Sequence, residues 1–202
     1  MNTCGGVEPR YAKPFFFFET KTRSAKVIFQ QTELQGAFLI QLNKIKDHRG
    51  FFARAWCEKE FAEHGLTPVV RQANVSFNIK GGTLRGMHYQ VAPYGEAKTV
   101  RCTRGAIYDV IIDLRKDSPT YKKWFGAELT ADNYTMLYVP ENFGHGFLTL
   151  EDNTEVTYQV SEFYTPGAEQ GIRWNDPAIG IHWPATARII SEKDANWPDY
   201  QG

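Results

Sequence analysis

Cysteine is scarce in this chain: Cys4, Cys57 and Cys102 are the three in 202 residues, and no Cys-x-x-Cys pair occurs. An odd, scattered set argues against a disulfide framework or a cysteine-built zinc site. It suits a reducing compartment. Excess charge of either sign is also missing, since 23 Lys plus Arg face 23 Asp plus Glu. A nucleic-acid binder normally carries a basic surplus, so no nucleic-acid partner is expected. A small anionic ligand needs only a few local arginines and is not excluded. Long apolar runs are absent too. The longest near the start is Phe15-Phe16-Phe17-Phe18, far short of the ~20 residues that cross a bilayer. It lacks the tripartite pattern of a signal peptide. The chain therefore reads as soluble and cytoplasmic, without a membrane partner. Neither Gly-x-Gly-x-x-Gly after a strand nor a Walker-type phosphate loop is found.

Aromatics are plentiful: 14 Phe, 10 Tyr and 5 Trp make 14% of the residues. With scattered Gly and Pro, that composition leans towards sheet. The length suits one domain with a sizeable core. Residues 1–26 show no periodicity and are expected to form an N-terminal extension. It is either an unstructured arm or one that docks its phenylalanines on a partner subunit. From residue 27 onward the pattern predicts a single domain to residue 202. Strands are expected at Val27–Phe29, Phe38–Leu42, Val69–Phe77, Thr83–Gln90, Lys98–Thr103, Ala106–Leu114, Trp124–Leu129, Met136–Pro140, His145–Leu150 and Thr154–Gln159. Glu58–His64 reads as one short helix closed by Gly65. Tyr164–Pro184 has no period and is expected to wrap over the rest. Many short strands at this rhythm predict a sandwich or closed barrel, in which alternate residues converge on one interior.

Several residues could carry chemistry there. His88 alternates with Met87 and Tyr89 and so faces away from them. In a desolvated pocket it could act as a general base, and otherwise it is a structural histidine bonded to a carbonyl. Lys98 is in phase with apolar Val100 and calls for an anionic partner, unless its ammonium reaches water at the rim. His145 lies between Gly144 and Gly146, which permit close backbone approach; the alternative is a turn histidine. Tyr158 shares phase with Val156 and Val160, as a core tyrosine would. Asp194, in Ser191-Glu192-Lys193-Asp194, looks alone like a solvated charge or a helix start.

These segments together resemble a known family. Arg49-Gly50-Phe51-Phe52, Leu84-Arg85-Gly86-Met87-His88-Tyr89-Gln90, Lys98-Thr99-Val100-Arg101-Cys102, Asp113-Leu114-Arg115-Lys116-Asp117-Ser118-Pro119-Thr120, Phe143-Gly144-His145-Gly146-Phe147, Trp174-Asn175-Asp176-Pro177 and Ser191-Glu192-Lys193-Asp194 are collinear. In that order they are similar to the dTDP-4-dehydrorhamnose 3,5-epimerases. The resemblance implies a mainly β cupin fold, a double-stranded β-helix or jelly-roll barrel with a few short helices. It implies a homodimer, a nucleotide-sugar substrate and no cofactor. Residue by residue, His88 resembles the catalytic base, Asp194 its orienting carboxylate and Tyr158 the acid on the opposite face. Lys98 and His145 resemble groups that hold the substrate. Arg49, Gln72, Asn74, Arg85, Glu169, Trp174 and Lys193 are matched to substrate contacts, and Tyr164 to a base-stacking ring. Ala53-Arg54 departs from the family, which has a carboxylate where Arg54 stands, and this bears on the nucleotide.

The chemistry needs such groups. A 4-keto-6-deoxyhexose has acidified C–H bonds at C3 and C5, and removing either proton makes an enolate. A lysine can stabilise that charge, a neutral imidazole can take the proton, and a phenol can return one. Metal-binding cupins typically use His-x-His with a nearby Glu. Here Gln90 stands two after His88 and is a poor ligand, so no metal is expected. A single-carbon epimerase acting on a CDP- or GDP-sugar, and a non-catalytic sugar-binding cupin, are the competing readings.

Overall fold

The structure is a computed structural model and describes residues 25–202. The expected extension lies, apart from Ala25 and Lys26, outside the described residues, as does the phenylalanine run. Two antiparallel sheets carry most of the chain. The first runs β1 (Val27–Gln31), β2 (Phe38–Leu42), β10 (Met136–Val139), β7 (Lys98–Arg104), β12 (Thr154–Val160), β5 (Gln72–Asn78). The second runs β13 (Glu169–Gly171), β6 (Thr83–Gln90), β11 (Phe143–Thr149), β8 (Ala106–Asp113), β9 (Trp124–Thr130), and β14 (Ile189–Ile190) joins β6 in parallel. From β5 to β8, and again from β9 to β12, successive strands alternate between the sheets, giving the expected jelly-roll, cupin architecture.

The alternation explains why the sheets close on each other. Val100, Cys102, Val156 and Leu137 of the first sheet pack against Ile107, Ile111, Leu129, Phe143 and Phe147 of the second. Each residue between these turns outward, as period-two geometry demands. On β8 the outward set is Tyr108, Val110 and Ile112. Ile172, Ile179, Ile181 and Trp183 of the tail pack over it. The tail therefore wraps as expected, along the outer face of the second sheet. The short helix α1 (Glu58–Glu63) buries Phe61 against Phe29 and Tyr138, and Gly65 closes it at φ +70°. A second helix, α2 (Glu192–Ala195), is capped by Ser191.

Two local expectations change. The strand predicted from Val69 begins at Gln72, because residues 67–71 only approach the sheet; Val69 and Val70 stay exposed. The chain at Asp47–Gly50, which the hydrophobic pattern leaves outside any strand, turns back as a hairpin of β3 (Ile45–Asp47) and β4 (Gly50–Phe52). Asp47 accepts the Arg49 N–H at 2.8 Å, and Gly50 takes φ +131°.

A register shift between β6 and β11 shapes the interior more than any other irregularity. His145 is opposite His88, but Phe147 is opposite Arg85. The extra residue on β6 bulges at Gly86, which holds φ +128°. A bulge rotates the residues on either side relative to strict alternation. Arg85 and His88, three apart, therefore line the same interior.

Candidate active site

The barrel interior opens in two adjoining lobes, about 290 Å³ and about 180 Å³ in volume, which share His88, Lys98 and Tyr158. Gln72, Asn74, Tyr164 and Glu169 line the larger lobe, and Arg85, His145 and Asp194 the smaller. His88, Arg85 and His145 come from the second sheet. Lys98 and Tyr158 come from the first, so the histidine and the phenol stand on opposing walls.

His88 is held by its Nε2, 2.6 Å from Asp194 Oδ1. A carboxylate there draws the ring proton to Nε2 and leaves Nδ1 as an acceptor. Asp194 is 4% exposed despite its charged sequence neighbours. Its N–H is fixed by the Ser191 hydroxyl at 3.0 Å, and its Oδ2 accepts the Gly86 N–H at 3.3 Å. Burial pushes the Asp194 carboxyl upward. The hydrogen bond of His88, with those of the Gly86 N–H and Ser191, outweighs it and holds the group below the usual aspartate range.

Lys98 is 8% exposed and in phase with Val100, and its Nζ lies 3.0 Å from Glu96 Oε1. Glu96 is thus the anionic partner that a buried lysine requires. Tyr158 is half-buried. Burial, then the charge of Glu96, raises the pKa of its phenol; Arg85 opposes and Glu169 adds a smaller push the same way. The phenol keeps its proton across the neutral range. The Arg85 Nε donates to Asn78 Oδ1 at 2.7 Å, and the His145 Nε2 lies 2.8 Å from Asp109 Oδ1. The Lys193 ammonium pairs with Glu169, and that pairing raises the lysine pKa. The Tyr164 N–H donates to Gln72 Oε1 at 2.8 Å, and its ring is exposed.

Lys193 meets the larger lobe only through Glu169, and two further residues matched to substrate contacts stand elsewhere. Arg49 sits in the β3–β4 turn, its side chain 78% exposed and paired with Asp47. Trp174 follows β13 into the outer wrap, where its carbonyl accepts the Trp183 indole N–H at 3.0 Å. Neither lines either lobe.

The family model described as dTDP-4-dehydrorhamnose 3,5-epimerase matches residues 31–201. The chain belongs to that family. It is 42% identical over 178 residues to a dTDP-4-dehydrorhamnose 3,5-epimerase of Sinorhizobium fredii, covering 88% of this chain and 91% of the relative. A crystal structure of the Bacillus anthracis enzyme with TDP and pyrophosphate superposes with TM-score 0.83 at 42% identity, covering 87% and 100% of the two chains. The Legionella pneumophila enzyme in complex with dTDP-4-keto-L-rhamnose gives TM-score 0.80 at 31% identity, over 86% and 93%.

In this epimerase-family chain, two site residues escape the sequence reading: Glu96 and Asp109. A signal for Glu96 exists, because a lysine in phase with core residues predicts an acid within reach, and one stands two positions before it. Asp109 is marked by phase alone, as a carboxylate between Ile107 and Ile111 on an apolar strand.

Proposed function

We propose that this chain catalyses 3,5-epimerisation of a dTDP-4-dehydro-6-deoxyhexose on a barrel domain spanning residues 27–202. The observation that carries the reading is a carboxylate-held imidazole and a protonated phenol on opposing walls, with a buried ammonium between the same two lobes. His88 Nδ1 takes the proton from C3 or C5, so a C–H bond breaks and an N–H bond forms. The electron pair moves onto the C4 oxygen, where Lys98 stabilises it. Asp194 stabilises the imidazolium so formed. Tyr158 then returns a proton to C5 from the other face, which inverts that carbon, and C3 takes its new proton from solvent. The phenolate recovers a proton from solvent and the His88 imidazolium releases one to it, so both groups are reset.

The smaller lobe, with Arg85 and His145, suits the ketosugar. The larger leads to Tyr164, whose open ring is available to a nucleotide base, with Gln72, Asn74, Glu169 and Lys193 alongside. Arg54 lies 3.8 Å from Glu60 of α1 and brings a cation to that stretch of chain. The test is a panel of dTDP-, CDP-, GDP- and UDP-linked 4-keto-6-deoxy sugars in heavy water. Deuterium at C3 and C5 of the dTDP sugar is expected; no uptake with any sugar refutes the enzyme reading. Tyr158→Phe should keep exchange but slow inversion at C5 by about 10²-fold or more. Unaltered product stereochemistry at the wild-type rate would rule out its role.

A homodimer is part of this reading. Val75, Phe77 and Ile79 are 66%, 47% and 67% exposed on one edge strand and the turn after it. Such a stripe usually meets a partner. Sedimentation should report twice the 23.1 kDa chain mass; a monomer at micromolar concentration would contradict it. No helix among the described residues is long and apolar enough to cross a membrane. A cytoplasmic setting completes the reading and is checked by cell fractionation.

A further inference from the structure

His88 and His145 are Cα partners on neighbouring strands, and each meets an aspartate through Nε2. The two histidines are alike in register and in partner type. Their aspartates differ. Asp194 has the Gly86 N–H on its second oxygen. Asp109 is 0% exposed, and its Oδ2 is buried without a hydrogen-bond partner among the described residues. Around it the fold places apolar groups: Ile107 and Ile111 in phase on β8, Phe147 opposite on β11, and Ala127 opposite on β9.

An ionised carboxylate in such surroundings is costly unless a full opposite charge meets it. Among the described residues, His145 alone makes a hydrogen bond or ion pair with it. We propose that Asp109 is a positioning residue that holds His145 as an imidazolium, so that its Nδ1–H is a charged donor to the substrate oxygen rather than a second base. The catalytic consequence rests on the epimerase reading; the charge state does not. Two like histidines are then divided by how the second aspartate oxygen is satisfied. Asp194 has a neutral donor, and Glu169, 4.0 Å from His88 Nδ1, is already paired with Lys193, so a neutral His88 is tolerated, as a base requires.

Other charges face the same lobe. Lys98 and Arg85 oppose a cation at His145. Lys98 is already paired with Glu96 at 3.0 Å, and Arg85 is directed to Asn78. Asp194 favours the cation but is engaged by His88, and Tyr158 keeps its proton. Cys102, behind the dyad, has its thiol pushed up to about 11, chiefly by burial, and stays neutral. Asp109, in contact and in the least solvated position, decides the balance.

The test is ¹⁵N NMR of the histidine rings in the full chain without substrate, with His145→Gln used for assignment. At pH 7 the His145 ring of the wild type should carry protons on both nitrogens, and in Asp109→Asn on one. A neutral wild-type ring overturns the proposal, as does a doubly protonated ring that persists in Asp109→Asn. The variant should lose about 10²-fold in kcat with KM within a few fold, as for one lost oxyanion donor; an unchanged kcat overturns the donor role. Should Asp109→Asn not fold, the wild-type spectrum decides alone. A cationic His145 in a protein that exchanges no deuterium would refute the epimerase reading and leave the charge state standing.

Discussion

Replacing His88 by Ala should end deuterium uptake at both C3 and C5 while nucleotide-sugar binding changes little. The expected loss is at least the 10²–10⁴-fold that general base catalysis supplies. It is larger if no other group reaches the proton. The variant removes a partly exposed side chain, 28% accessible, that meets Asp194 at 2.6 Å and lies 4.0 Å from Glu169. That leaves a buried carboxylate with the Gly86 N–H and the Ser191 cap, so a moderate fall in stability is expected as well. Exchange measured by mass spectrometry, with affinity from calorimetry, separates the two effects. Full exchange in His88→Ala would remove the imidazole from the mechanism. Loss of binding in proportion to loss of exchange would make it a binding residue instead.

Gly86→Ala should be the most damaging single methyl group near the pocket. The residue sits at φ +128°, where a side chain is strained. A Cβ there would stand 2.5 Å from Gly146 Cα and 2.9 Å from the His145 carbonyl oxygen. The obstruction is reciprocal, since a Cβ on Gly146 would lie 2.6 Å from the Arg85 carbonyl oxygen. All of these are backbone atoms in paired strands, and none can swing aside. Separation of β6 from β11 is the available response, and it would part His88 from His145 and lengthen the bond from Gly86 to Asp194. The expected cost is on the order of 3–5 kcal/mol. For a chain of this size that lowers Tm by roughly 6–20 °C. A variant melting within about 2 °C of wild type would show that the strands do not need this contact.

Much of the architecture is legible because period-two patterning is local. Phe38–Leu42 and Thr83–Gln90 lie where their alternation and turn residues put them. Val100 and Cys102, or Val156 and Val160, announce an interior face from the sequence alone. Lys98 and Tyr158 share those phases and enter the interior with them. Glu96, by contrast, stands before its strand begins, where phase is undefined and alternation gives it no direction. The β3–β4 hairpin escapes the pattern because its turn depends on Asp47 capping a backbone N–H and on Gly50 taking positive φ. Neither shows in a hydrophobic pattern.

By itself the sequence determined a β-rich barrel, the family, and which residue types were available for proton transfer. It could not place Arg85 beside His88, since strict alternation puts three-apart residues on opposite faces; a bulge at Gly86 does that, and bulges are set by the partner strand. Nor could it bury Asp194, whose neighbours in the chain are charged. Only the packing of α2 against β6 takes that carboxylate out of water and sets it 2.6 Å from an imidazole 106 residues away. Contacts of that kind are fixed by closure of the two sheets, because only closure decides which interior faces meet.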